Sequence, residues 1–428
     1  MKNINKLFHG DITLWIVYFF FGIISLIEVY SATSQLTYRT AHYYQPILSH
    51  GFHLVLAACL AWVVHWIPWR VFKRVGFLGV WAAIVLLAFL TLFKVGETNG
   101  GARWINILGI SMQPSEFGKV FLIMYTALIL SVYQTEKGCE PQAFKSIMLP
   151  TFFTCAFIGG ENVSTAFLLW FVIIAMMGIG RIPWKQWLTV FGGTIFLIVL
   201  GFGTLKALPK ESPIYDWPLL GRVQTVKMRF ERKFTKITPE NVAEFDFDKI
   251  RQRVHANTAI ANANFIGRMP GNSRERDNLS QAYSDFIFAI ILEEMGLWGA
   301  SFVMLLYIIL TLRVGRIAKQ CARGFPAFLV MGLVIMIVAQ ALLNMLVAVD
   351  LFFITGQPLP FISRGGSSLI ISGFEMGIFL SVSRYVYRLR REKEAAAAHT
   401  NPGLQVAEAA SPQTNPGLQP EPVDIGED

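Results

Sequence analysis

The sequence predicts an all-α polytopic membrane protein of about ten transmembrane helices, with a long extracytoplasmic loop between spans seven and eight. Two observations carry that prediction. Of 428 residues, 54% are hydrophobic and only 15% charged, with a mean hydropathy of +0.49, whereas a soluble protein carries roughly a quarter charged residues. The apolar residues also gather in runs near the ~20-residue length that a bilayer demands.

In chain order the runs fall around 12–30, 47–67, 75–94, 118–134, 146–160, 164–180, 188–207, 286–311, 326–349 and 367–385. The fifth is short and holds Pro150, but "ENVS" at 161–164 would turn the chain straight back into the membrane, so it counts as a span. Lys and Arg orient the set by the positive-inside rule. With a cytoplasmic N-terminus, the inside loops hold Arg70, Lys73 and Arg74, then Lys137 and Lys145, Arg181 and Lys185, and Arg313, Arg316, Lys319 and Arg323. Outside loops are poorer, with Arg39 and Arg103 the notable cations. An even count places both termini in the cytoplasm. The net charge of +9 is then mostly topology, and nucleic-acid binding is excluded because no soluble basic module is present.

The connection from 208 to 283 breaks the charge pattern, because it falls outside yet is rich in Lys and Arg. Loops beyond about 60 residues largely escape the rule. Its basic excess fits either an amphipathic helix on anionic headgroups or a site for an anionic substrate. Cys59 and Cys155 fall in spans and Cys139 and Cys321 in inside loops, so no disulfide framework is implied. His50 and His53 share a helical face, but nothing nearby in sequence completes a metal site. The N-terminal stretch runs directly into span one and reads as an uncleaved anchor. Residues 1–395 therefore read as one transmembrane domain. Residues 396–428, which repeat "TNPGLQ" at 400–405 and 414–419, read as a disordered cytoplasmic tail.

Ionisable residues at or near membrane depth are functional candidates by default, and four outside-facing clusters qualify. "NGGARWINILGISMQPSEFGKV" (99–120) carries Arg103, Gln113, Glu116 and Lys119; the last two share a helical face and can pair. "AYSDFIFAIILEEMGLWG" places Ser284 or Asp285 where an N-cap belongs, with Glu293 and Glu294 about two turns deeper. Paired carboxylates there imply a polar cavity or an Arg or Lys partner. "TGQPLPFISRGGSSLI" cannot be regular helix through Pro358 and Pro360, and "RGGSS" then opens the last span with free N–H groups and Ser367 and Ser368. The fourth is Glu161 and Asn162 in a minimal turn. Converging, these groups would make one outward cavity with cations for a phosphate and Asp285 for a proton.

At this point the residues resemble a family, the SEDS proteins (shape, elongation, division and sporulation), over nearly all of the chain to about 390. "EVYSATS", "NGGARWINILGISMQPSEFGKV", "YSDFIFAIILEEMGLWG" and "PLPFISRGGSS" are each similar to a SEDS signature. The likeness is closer to the division branch than to the elongation branch. Departures exist: Asn162 stands for the family's usual acid and Ser164 for its Gly, Arg364 for a common Tyr, and Tyr283 for the His that precedes the active-site acid, and the family's Gly-rich loop has become "ANANFIGRMPGNS".

The resemblance implies a peptidoglycan glycosyltransferase that polymerises lipid II at the outer face of the bacterial inner membrane, in septal wall synthesis. A 4-hydroxyl would attack the anomeric carbon of a chain linked to undecaprenyl pyrophosphate. That chemistry needs a base and positive charge on the leaving group. Asp285 would be the catalytic carboxylate. Arg103 and Lys119 would support the pyrophosphate, with Glu116 orienting Lys119, and Gln113, Ser367 and Ser368 contacting substrate. A divalent cation (Mg or Mn) bridging Asp285 and the pyrophosphate is compatible with this chemistry, although no metal-ligand spacing demands it. The implied partners are a class B penicillin-binding protein (the transpeptidase) and other divisome proteins. Two other classes compete: a lipid II flippase, which would line a path to the cytoplasmic side, and a non-catalytic division scaffold, which leaves Asp285 unexplained.

Overall fold

The computed structural model describes residues 10–33, 44–93, 105–107, 110–207, 247–279 and 281–400. Helices occupy all ten positions expected for spans: α1 (Ile12–Ala32), α2 (Gln45–Trp66), α3 (Trp69–Phe93), α4 (Pro114–Val132), α5 (Pro141–Glu161), α6 (Val163–Ile179), α7 (Trp184–Ala207), α9 (Ile287–Gln320), α10 (Gly324–Ala348) and α11 (Gly366–Thr400). An additional helix, α8 (Phe247–Ala261), lies in the long loop and packs on α9. Among the described residues, eight helices are long and apolar enough to cross a membrane, so the protein is multi-pass; α6 is equally apolar but only 17 residues long. The only strands among the described residues are two short hairpins. In one, β1 (Ile105–Ile107) pairs antiparallel with β2 (Ile110–Met112), and in the other, β3 (Gln134–Thr135) with β4 (Gly138–Cys139).

Residues 1–385 form one compact unit and 386–428 a second, described as far as Thr400. Helix thus occupies the first residues of the expected tail. The "TNPGLQ" repeats past Thr400, and 208–246 of the long loop, lie outside the described residues.

Within the first unit, α4 packs on α3 and α10, and α10 packs on α9 and α6, so α4 and α10 sit centrally. Outer helices turn Phe19, Leu78, Val85 and Phe196 outward, as lipid-facing surfaces require. With hydrocarbon outside, apolar burial gives no driving force, and close packing of small residues holds such helices together. Gly373 and Gly377 show it: a Cβ on Gly373 would stand 2.3 Å from the Ala57 carbonyl oxygen, and one on Gly377 3.0 Å from that of Ala61. α11 therefore lies backbone to backbone against α2.

The tight turn at "ENVS" forms as read. α5 ends at Glu161 and α6 begins at Val163, with Asn162 between them. Its side-chain oxygen accepts from the backbone N–H of Ser164 (3.0 Å) and Thr165 (3.3 Å). Asn caps as well as Asp does, so this departure keeps the turn.

Candidate active site

α10 organises the site. Gln340 and Asn344 lie four residues apart, project from one helical face and are both buried. Asn344 Nδ2 donates to the carbonyls of Asp285 (3.0 Å) and Gln357 (2.8 Å). Gln340 Nε2 donates to the Pro358 carbonyl at 3.1 Å, and its Oε1 accepts from Lys119 Nζ at 3.4 Å.

The connection from α10 to α11 supplies the second frame. Its prolines forbid helix, and its carbonyls go to side chains. Asn162 reaches Thr355 at 3.4 Å, Asn344 and Gln340 take Gln357 and Pro358, and the Tyr307 hydroxyl takes Pro360. The Gln357 amide donates to Thr165 Oγ1 at 2.6 Å.

These two frames clamp three consecutive carbonyls ahead of α9. Arg364 N–H holds Tyr283 (2.9 Å), Ser363 Oγ holds Ser284 (2.7 Å) and Asn344 holds Asp285 (3.0 Å). Asp285 is half-buried, accepts from Ser284 Oγ at 3.0 Å through Oδ1, and has Gly356 beside Oδ2. The sequence suggested Ser284 or Asp285 as the N-cap of α9. That is corrected: Phe286 occupies the position, with no side-chain cap, because the N–H groups of Ser284, Asp285 and Phe286 all turn back to the Gln281 carbonyl.

Lys119 and Glu116 form an ion pair of 2.8 Å at the start of α4, with Lys119 only 2% exposed. Glu375, buried on α11, lies in electrostatic range of both. The ammonium is thus already committed to partners inside the protein. Gln113 precedes α4, half-buried, with its carbonyl accepting from Glu116 N–H at 3.1 Å. Ser367 is buried and Ser368 half-buried in the first turn of α11, and among the described residues no hydrogen bond ties either to Asp285 or Lys119. Arg103 lies outside the described residues.

Glu293 and Glu294 turn out to brace the long loop. Glu293 takes the backbone N–H of Arg274 (3.1 Å), and Glu294 takes those of Gly271 (3.0 Å) and Ser273 (3.2 Å). Ser31 of "EVYSATS" donates to Glu294 at 2.5 Å, and Arg268 and Arg276 stand 4.0 and 3.8 Å from the two carboxylates. Here α9 breaks at Gly296 (φ 68°), where a Cβ would fall 2.4 Å from Gly267 N.

Arg364 extends over the Tyr283 ring, 5.2 Å from its centroid. Burial holds its guanidinium below the ordinary value, with Tyr283 opposing. Members of all four clusters, Lys119, Asp285, the 355–363 connection and Asn162, are therefore joined by hydrogen bonds through α10 and that connection, whereas Glu293 and Glu294 bond to the long loop instead. What sequence missed were the organisers of this network, Gln340 and Asn344; two amides spaced by four in an apolar run were the available signal. As to a metal, no group of three or more His, Cys, Asp or Glu able to hold one occurs among the described residues. Among the described residues, side chains alone do not make a cation site, and Asp285 would be a single carboxylate toward one.

A family model described as cell cycle protein, that of FtsW, RodA and SpoVE, matches residues 11–388. The chain is 28% identical over 392 residues to the probable peptidoglycan glycosyltransferase FtsW of Geobacter metallireducens, covering 89% of this chain and 96% of that one. It is 27% identical over 351 residues to the protein of the same description from Bacillus subtilis, covering 80% and 82%. Among solved structures, a chain of a peptidoglycan synthase complex that coordinates polymerization and crosslinking superposes with a TM-score of 0.68 at 20% identity, covering 88% of this chain and 98% of that one. The rod shape determining protein RodA of Thermus thermophilus superposes with a TM-score of 0.60 at 19% identity, with the same coverage of 88% and 98%. With the family model spanning residues 11–388, the chain belongs to the FtsW, RodA and SpoVE family of cell cycle proteins, the SEDS proteins.

Proposed function

We propose that this chain is a peptidoglycan glycosyltransferase that polymerises lipid II at the outer face of the cytoplasmic membrane in septal wall synthesis, with both termini in the cytoplasm. The observation that carries the reading is the clamped backbone of 283–285, which aims one carboxylate, Asp285, from a rigid frame. Catalytic groups gain most when pre-positioned in this way.

Asp285 acts as general base. It accepts the proton of the 4-hydroxyl as the new bond forms to the anomeric carbon and the bond from that carbon to the diphosphate oxygen breaks. The Ser284 hydroxyl, at 3.0 Å from Oδ1, steadies the carboxylate. Lys119, tied to Glu116 and Gln340, is assigned to the diphosphate as the cationic end of that pair. Arg103, Gln113, Ser367 and Ser368 are assigned to substrate contact. A divalent cation would meet Asp285 as its protein carboxylate, and no step above depends on one.

The family and its relatives support a wall-building role, and the synthase complex containing a structural neighbour supports a crosslinking partner. For this chain the partner is a class B penicillin-binding protein, within a larger set of division proteins. The test is polymerisation of labelled lipid II by the purified protein with its transpeptidase, wild type beside Asp285→Asn. Strands from wild type and none from a folded mutant are expected. Equal strands from both would discard Asp285 as the base, and no strands from either would discard the activity.

A further inference from the structure

The turn between α2 and α3 carries cations that lie on aromatic faces. Trp69, the first residue of α3, is the hub. The Lys73 ammonium stands 5.3 Å from the centre of the Trp69 ring and 5.4 Å from that of Phe325, and the Arg70 guanidinium stands 5.8 Å from Trp69. On the other side of the turn, Arg384 of α11 lies 4.7 Å over the Trp66 ring and donates to the His65 carbonyl at 3.4 Å. An aromatic face holds a cation in place without neutralising it.

The cluster is built into the fold. Tyr385 packs its ring 5.4 Å from that of Trp69, and Ser381 Oγ donates to the Ile67 carbonyl at 2.5 Å. α11 thus grips the turn at two carbonyls, those of His65 and Ile67. Phe325, buried at the start of α10, closes the cluster from beneath. Arg70 and Arg74 are exposed and Lys73 is half-buried, so all three can be reached from outside the protein. Among the described residues none of the three pairs with a carboxylate, and the first turn of α3 holds no acid.

Two observations identify what neutralises these charges. Arg384 is 18 residues along α11 from Gly366, which is about 27 Å at the α-helical rise and close to the thickness of a hydrocarbon core. The cluster therefore lies at the membrane face opposite Asp285, clear of the site described above. Second, Arg70, Arg74, Phe77, Trp81 and Val85 share one face of α3, and the three apolar members are all exposed. That face starts with cations and runs on into hydrocarbon. An acidic soluble protein would answer the charges and leave the apolar run uncovered, whereas a phospholipid answers both.

We infer that the turn between α2 and α3 binds an anionic phospholipid of the leaflet opposite Asp285, with headgroup phosphate on Arg70, Lys73 and Arg74 and acyl chains along α3. Three cations without carboxylate partners match a headgroup with two phosphates better than one with a single phosphate. Basic pockets between transmembrane helices are suited to such headgroups. Because the ligand sits where α11 grips the turn, its binding stabilises the folded protein. The site is separate from the glycosyl transfer proposed above, and neither depends on the other.

The test uses delipidated full-length protein in detergent, with bound lipid counted by native mass spectrometry. Tetraoleoyl cardiolipin is expected to bind at least tenfold more tightly than dioleoyl phosphatidylethanolamine and to raise the unfolding temperature, with dioleoyl phosphatidylglycerol between the two. Each basic contact with an anionic lipid contributes about fivefold, so Arg70→Gln with Lys73→Gln is expected to weaken cardiolipin at least tenfold. Where that double variant does not fold, Arg70→Gln alone, an exposed change, reads the same site at about fivefold. Lys185→Gln, which removes an exposed cation at the start of α7, is expected to leave binding unchanged. Equal losses from Lys185→Gln and Arg70→Gln would reduce the site to general surface charge and overturn the inference, as would equal affinity for cardiolipin and phosphatidylethanolamine. Displacement of cardiolipin by millimolar inorganic phosphate would overturn it too, by assigning the cations to a soluble anion.

Discussion

The guanidinium of Arg364 lies 5.2 Å from the centre of the Tyr283 ring, and its backbone N–H holds the Tyr283 carbonyl at 2.9 Å. Both residues depart from the family pattern, and each departure faces the other. An Arg over an aromatic face contributes about 0.5–2 kcal/mol depending on desolvation. The pair therefore couples: Arg364→Tyr and Tyr283→His each lower the unfolding temperature, and the double variant is more stable than the sum of the two losses. A thermal double-mutant cycle checks this, and additive losses refute it.

Removing Lys119 strands a buried carboxylate. Lys119→Met leaves Glu116, only 7% exposed, without its 2.8 Å partner, and breaking one side of a buried pair costs about 3–5 kcal/mol. Lys119→Met with Glu116→Gln regains most of that stability. If the double variant stays as unstable as the single, the pair is not what holds α4 in place.

Asn344 touches the site through backbone alone, bonding the carbonyls of Asp285 and Gln357. Asn344→Ala frees the Asp285 segment at one of three clamps, so polymerisation is expected to fall about 10²-fold, as small misplacements of a catalytic group do. Lipid II affinity should remain near wild type. A loss confined to affinity would assign Asn344 to substrate instead.

Gly296 tolerates no side chain, because a Cβ there would lie 2.4 Å from Gly267 N and 2.6 Å from the Asn264 carbonyl oxygen. Its φ of 68° adds strain for any other residue. Gly296→Ala is expected to leave little folded protein in size-exclusion profiles, whereas Gly315→Ala, on the same helix with nothing within 4 Å of its Cβ, is expected to behave as wild type.

With no cluster of metal-ligating side chains among the described residues, the protein alone is expected to show no tight Mg2+ or Mn2+ binding by calorimetry. Any dependence of polymerisation on these ions then follows the diphosphate, which supplies most of the ligands in such sites. Tight binding by the substrate-free protein would reveal a site outside those residues.

The span pattern was legible because apolar length is a one-dimensional property, and a helix lies at every expected position. The site was legible only in part. Asp285 stood out, being a carboxylate at a span's mouth, but its orientation depends on Ser363, Arg364 and Asn344, which are 59 to 79 residues distant. Glu293 and Glu294 demanded a partner, and the sequence could not show that backbone N–H groups of 271–275 would supply most of it. His50 and His53 looked incomplete for the same reason, since Arg364 and Ser111 join them through tertiary contact alone.

The break at Gly296 divides α9 into unequal pieces, of which the shorter, 287–295, carries the loop brace at one end and adjoins Asp285 at the other. The loop segment 271–275 and the segment carrying Asp285 are thereby fastened to opposite ends of one short rod, while the longer piece, 297–320, lies beyond the break. The glycine that looks like an interruption is what makes that rod a separate unit, so the geometry of the loop and the placing of Asp285 are set by the same nine residues.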